Sequence, residues 1–136
     1  MQYLTLLTVL ATAIAGTQAQ DCIKTGWALE WPSKDKAKSV ATEACKGSLG
    51  GSYTQGLTKW GCGKTGSYKA FRGGEVTQTA GLSVQWNGVT SANAGLNEAE
   101  CVSGLHALIN KCNTGGKHIA SGWHFSAIPQ NNACQK

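Results

Sequence analysis

The segment Leu96-Asn97-Glu98-Ala99-Glu100-Cys101-Val102-Ser103-Gly104-Leu105-His106-Ala107-Leu108-Ile109-Asn110-Lys111-Cys112, followed by Gly115-Gly116, decides how this chain is read. Asn97 is a good helix N-cap, Glu100 stands at the capping-box position, and Glu98 and Glu100 favour the positive end of a helix dipole. Cys101, Val102, Leu105, Leu108, Ile109 and Cys112 then recur at helical spacing as a single apolar stripe. Eleven residues at about 100° each return Cys101 and Cys112 to one face, but about 16 Å apart along the axis. That is too far for a bond between them, so each must tie the helix to a different segment. The glycine pair ends the helix.

Outward from this helix, Lys117–Ile128 reads as a last strand around Gly122, with Ile119, Trp123 and Phe125 on one parity and His118 and His124 on the other. Upstream, Leu82, Val84 and Trp86 alternate with Ser83 and Gln85 as a half-buried strand that Asn87-Gly88 turns. Ser67–Arg72 and Glu75–Thr79 flank Gly73-Gly74 as a hairpin. Ser33 caps a helix over residues 34–45, where Ala37, Val40, Ala41, Ala44 and Cys45 form the buried stripe and Gly47 is the stop. The alternation in Trp27–Trp31, closed by Pro32, predicts a first strand. Short strands with hairpin signals between two helices argue against a doubly wound parallel sheet. They predict an α+β fold, a compact α/β sandwich with an antiparallel sheet of about four strands and two helices on one face.

The N-terminus has the pattern of a cleavable export signal. An apolar run from Leu4 to Ile14, too short to span a bilayer, precedes small residues at Thr17 and Ala19, so cleavage is expected before Gln20. The n-region carries no Lys or Arg. Residues 1–19 are thus a signal peptide, and residues 20–136 form one domain, free of repeats or linkers, in a secreted, extracellular protein. All six cysteines (Cys22, Cys45, Cys62, Cys101, Cys112 and Cys134) fall in that domain. An even count in an exported chain reads as three disulfides with 15 possible pairings. No C-x-x-C pair is present, and no metal or cofactor is expected.

Net charge is +5, and the one local basic cluster is Lys34, Lys36 and Lys38. No Arg-rich patch or base-stacking motif points to nucleic acid, and no membrane insertion is expected. A ribonuclease would recruit His118 and His124 with Lys117 or Arg72, but on one straight strand the two imidazoles lie about 20 Å apart. A glycoside hydrolase needs two carboxyl groups, and only Glu30 and Glu75 are strand candidates. No Gly-x-Ser-x-Gly elbow occurs. No catalytic residues are assigned, and the chain is read as a non-enzyme.

Binding is better supported. Five Trp and two Tyr in the mature chain supply flat amphipathic rings on which sugar C–H faces stack. Trp27, Trp31, Trp86 and Trp123 lie on apolar strand parities and are assigned to the core. Tyr53, Trp60 and Tyr68 stand in glycine-rich or polar surroundings and are the candidate stacking rings, with Arg72, Gln85, Asn87 and His124 as polar partners.

The run Leu96–Leu105, then Leu108-Ile109-Asn110-Lys111-Cys112, Gly115-Gly116 and Gly122-Trp123, resembles a family of small secreted fungal glycan-binding proteins typified by the lectin of the shaggy ink-cap mushroom (Coprinus). Cys22, Ala44-Cys45 and Cys134 also suit that pattern, so the resemblance covers nearly the whole mature chain. It implies an α/β sandwich with three disulfides that binds carbohydrate without catalysis. The expected partners are fucosylated or N-acetylhexosamine-containing glycans, with a homodimer as one way to join weak sites. The alternatives are a killer-toxin-like effector acting through the basic cluster, or a small ribonuclease using His118 or His124.

Overall fold

The computed structural model describes residues 19–135, so the expected export segment lies outside the described residues apart from Ala19. Seven strands and two helices follow in the order β1 (Ala19–Cys22), α1 (Lys34–Lys46), β2 (Gly51–Thr54), β3 (Thr58–Lys69), β4 (Glu75–Trp86), β5 (Asn93–Leu96), α2 (Glu98–Lys111), β6 (Gly116–Ala120) and β7 (Trp123–Asn131). Five strands form one antiparallel sheet ordered β1-β6-β7-β4-β3, and β2 pairs with β5 in a separate two-stranded ribbon. The α+β class and the two helices on one face are as expected; the sheet has five strands rather than four.

Both helices begin where their caps predict. The Ser33 hydroxyl accepts from the Lys36 N–H, and Asn97 Oδ1 accepts from the Glu100 N–H at 2.8 Å. Their stripes, Ala37, Ala41 and Cys45 on α1 and Cys101, Leu105, Leu108 and Ile109 on α2, are buried against Leu82, Val84, Phe125 and Ala127 of the sheet. Glycine on β3 lets α1 lie close. A Cβ added at Gly63 would sit 2.6 Å from Val40 Cγ1, and one at Gly61 would sit 3.0 Å from the Ala44 Cβ.

Three local expectations are corrected. Trp27–Trp31 is not a strand: the Trp31 N–H donates to the Asn113 carbonyl and its ring Nε1 to the Cys112 carbonyl, docking this loop on the end of α2. Trp31 is buried, but Trp27 projects into solvent at 95% exposure and is no core residue. The sheet edge beside β6 is taken instead by Ala19–Cys22, which Cys22–Cys112 anchors. Second, the single strand expected over Lys117–Ile128 is a hairpin. Ser121 (φ 50°) and Gly122 (φ 85°) make a two-residue turn with positive φ at both positions, the geometry that matches strand twist. Third, the chain after Asn87-Gly88 leaves the sheet, because β5 pairs with β2 and not with β4.

The disulfides are Cys22–Cys112, Cys45–Cys101 and Cys62–Cys134, and none of the six cysteines is free. Cys101 and Cys112 do hold α2 to two different segments, β1 and α1. The third bridge pins the C-terminal residues across the far face of the sheet. No helix among the described residues is long and apolar enough to cross a membrane.

Candidate functional site

Pleating divides each strand between two faces. On the helix-covered side lie Trp86, Trp123 and Tyr53, the last from the ribbon. Tyr53 meets Trp123 edge-on at 5.0 Å, and Trp86 lies 4.7 Å from Trp123. Among the described residues no helix covers the opposite side. There the register aligns Trp60, Ser83, Ser126, Lys117 and Asp21 in one row across all five strands. Thr58, Gln85, His124 and Ile119 form the next row, at spacings of about 4.8 Å between strands.

Trp60 is 43% exposed and forms one wall of a groove of about 360 Å³ on this open face. Ser126, Ile128 and Gln130 of β7 line it with Cys134 and Gln135 of the C-terminal strap. Gly81, with no side chain, leaves its floor low: a Cβ there would lie 2.9 Å from Gln130 Nε2. Gln130 Oε1 accepts from the Gln135 N–H at 2.8 Å, and Cys62–Cys134 ties the strap to β3. An indole flank, two amides and a hydroxyl thus converge on a shallow, covalently braced cleft.

Of the seven expected site residues only Trp60 lines this groove; three others lie outside it, on or beside the same open face. Trp60, Gln85 and His124 share the open face, and Asn87 joins them through Nδ2, which donates to Gln85 Oε1 at 2.7 Å. Gln85 Nε2 in turn donates to the Gly56 carbonyl. Tyr53 is excluded from any surface. It is buried at 1% exposure, its hydroxyl donates to the Leu49 carbonyl, and desolvation pushes its pKa up to about 12. Tyr68 and Arg72 are exposed but lie at the far end of the β3–β4 hairpin. The irregularity between Lys64 and Gly66 also reverses the alternation of β3, so Tyr68 shares a side with Asn131, whose Nδ2 donates to its hydroxyl at 3.3 Å. Ser83, Ser126, Gln130 and Gln135 were not anticipated. Period-two alternation in Ser126–Gln130 is the signal that points to them, and the unmarked turn at Ser121-Gly122 hides its facing.

The β6–β7 turn also separates the two histidines. His118 pairs with Phe125 and faces the helices, 3% exposed, whereas His124 pairs with Ile119 on the open side. One scissile phosphate cannot reach both through the sheet. Burial, and then the positive Lys111, lower the His118 pKa. Of the basic cluster, Lys34 Nζ donates to the Asn110 carbonyl and Lys38 pairs with Asp35 at 3.7 Å, so two of its three charges are engaged locally. Glu30 is exposed in the loop before α1, and Glu75 is exposed at the hairpin tip. Among the described residues no three His, Cys, Asp or Glu side chains cluster as a metal site would require.

No protein-family model and no curated protein matches the chain.

Proposed function

We propose that this is a secreted, non-catalytic glycan-binding protein that holds carbohydrate on the open face of its sheet. The observation that carries this reading is the half-exposed indole of Trp60 beside a groove lined by Ser126, Gln130 and Gln135. A pyranose can lay its C–H face on the indole while amides and hydroxyls take its hydroxyl groups in directional bonds. Three disulfides suit an oxidising, extracellular setting and keep such a shallow site rigid before the ligand arrives, which lowers the entropic cost of binding. A single shallow groove binds weakly, so a homodimer presenting two would gain avidity.

The test is a glycan array probed with the oxidised mature protein. Fucosylated or N-acetylhexosamine-containing glycans should give signal, and Trp60→Ala should weaken it by about tenfold or more, as loss of a stacking ring does. Folded protein giving uniformly blank wells would end this reading.

A second reading, a killer-toxin-like effector, draws on a different observation. Phe71 is fully exposed at the hairpin tip between Lys69 and Arg72, an apolar and basic tip in addition to Lys34, Lys36 and Lys38. If that tip engages a target membrane protein, Phe71→Ser with Arg72→Ser abolishes killing of sensitive cells and leaves glycan binding intact. Undiminished killing by that variant rules the tip out.

A further inference from the structure

The two ends of the large sheet differ in what they show to water. Strands β1, β3 and β7 finish at one end, where β4 and β6 begin. Two loops project there. One is the tip of the β3–β4 hairpin, residues 70–74, closed by the Ala70 N–H donating to the Gly74 carbonyl. The other, residues 23–32, crosses this end from the β1 edge to the β3 edge. The Ile23 N–H on the Gly115 carbonyl fixes its start, and the Trp31 N–H on the Asn113 carbonyl fixes its close. Pro32 then lies beside Gly66 of β3, its Cγ 3.5 Å from where a Cβ would stand. A Cβ at Gly26, Gly73 or Gly74 would meet no atom within 4 Å, so both loops stand clear of the body.

Each loop carries a large ring into solvent. Trp27 on one and Phe71 on the other are almost wholly exposed, and Leu29 and Tyr68 on the same segments are exposed too. A lone apolar side chain in water is ordinary; two bare rings on loops at one end of a small domain are not. Charge follows the same axis. Lys24, Lys34, Lys69, Arg72 and Lys111 lie on these loops or at the helix ends beside them, against Glu30 and Glu75, while Asp35 is paired with Lys38. No Lys or Arg occurs between Arg72 and Lys111, and the opposite end presents Glu98 and Glu100 in the first turn of α2. We propose that the two loops dock the protein on an anionic lipid bilayer, with Trp27 and Phe71 seated at the boundary between headgroups and acyl chains. Aromatic rings favour that boundary, and the cations around them are drawn to anionic headgroups. Separate convex tips suit a fluid surface that closes around each; a protein would need a matched hollow for both. The docking is peripheral and requires no membrane-spanning helix. It uses no residue of the groove beside Trp60.

Co-sedimentation of the oxidised mature protein with sugar-free vesicles tests this. Phosphatidylcholine vesicles containing one quarter phosphatidylserine should carry the protein down, phosphatidylcholine alone should carry far less, and raised salt should release it. Trp27→Ser with Phe71→Ser should weaken partitioning by about tenfold or more. Both side chains lie in water, so this variant keeps its fold, which an unchanged urea midpoint checks. Lys69→Ser with Arg72→Ser should weaken binding and flatten its salt dependence. Brominated phosphatidylcholine should quench part of the tryptophan emission, and Trp27→Phe should bind as before but lose that quenching. Trp60→Ala must leave partitioning unchanged, so failure here is distinct from failure of the glycan reading. No partitioning onto the anionic vesicles at low salt overturns the proposal, as does partitioning undiminished without the two rings. Cell attachment lost in the ring variant, with no vesicle binding by the parent, would assign the tips to a protein partner and overturn it equally.

Discussion

Strand β7 carries both characters of this molecule on alternate residues. Trp123, Phe125 and Ala127 point beneath the helices and are buried, whereas His124, Ser126 and Ile128 on the other side are only partly covered. The same division runs through the tryptophans. Trp86 and Trp123 close the covered face, with the Trp86 Nε1 donating to the Ser91 carbonyl, while Trp60 keeps 43% of its surface for solvent. The two faces share one backbone, so the difference lies in what stacks on them. An aromatic side chain stabilises the fold only where a second layer removes it from water; elsewhere its area remains available to a ligand.

Substitutions that hit the two faces differently should sharpen this contrast. Trp123→Ala removes a buried indole that touches both Tyr53 and Trp86, and urea unfolding should show a loss of about 3–5 kcal/mol. Removing the buried bridge with Cys45→Ala and Cys101→Ala should cost about 2–4 kcal/mol by the same measurement. Gly63→Ala, forced against Val40 beneath α1, should cost about 1–3 kcal/mol. Gly81→Ala on the open face meets only the far end of the Gln130 side chain, which can shift by giving up its bond to Gln135, and should cost less. Equal penalties at the two glycines would break the distinction between the faces.

A smaller effect is expected with pH. The folded-state pKa of His118 lies below its ordinary value of 6.5, because burial and then Lys111 oppose the charged form. The unfolded chain therefore binds the proton more readily. Stability is full above pH 6.5 and declines as pH falls through that value toward the lower folded one. Chemical denaturation at a series of pH values should show this slope, and His118→Gln should flatten it. Last, Trp60→Ala should leave the unfolding free energy within about 0.5 kcal/mol of the parent while removing glycan signal. A large stability loss there would mean that Trp60 is part of the packing after all.

Much of the architecture was legible because its signals are local. The caps at Ser33 and Asn97, the two helical stripes and the Gly73-Gly74 hairpin each depend on a few consecutive residues, and each is observed. The candidate site was legible only in part. Trp60, Gln85 and His124 share one face because they alternate on strands that pair in register, but of the three only Trp60 lines the groove. Tyr53 and Trp27 were each assigned to the wrong environment. Tyr53, in glycine-rich chain, is buried because β2 pairs with β5 and lays it on Trp123; Trp27, in an apolar alternation, is exposed because its segment has no strand beside it.

From its residue order alone, the chain determined where helices start, which side of each is apolar, and that Cys101 and Cys112 hold α2 to different segments. Those properties follow from the helical repeat and from hydrogen bonds made within a few residues. Only the tertiary structure decided which cysteines join, that one apparent strand folds into two at Ser121-Gly122, and which rings meet solvent. A two-residue turn reverses the facing of every side chain beyond it, and burial depends on what the rest of the chain stacks above, so neither can be read from a strand in isolation.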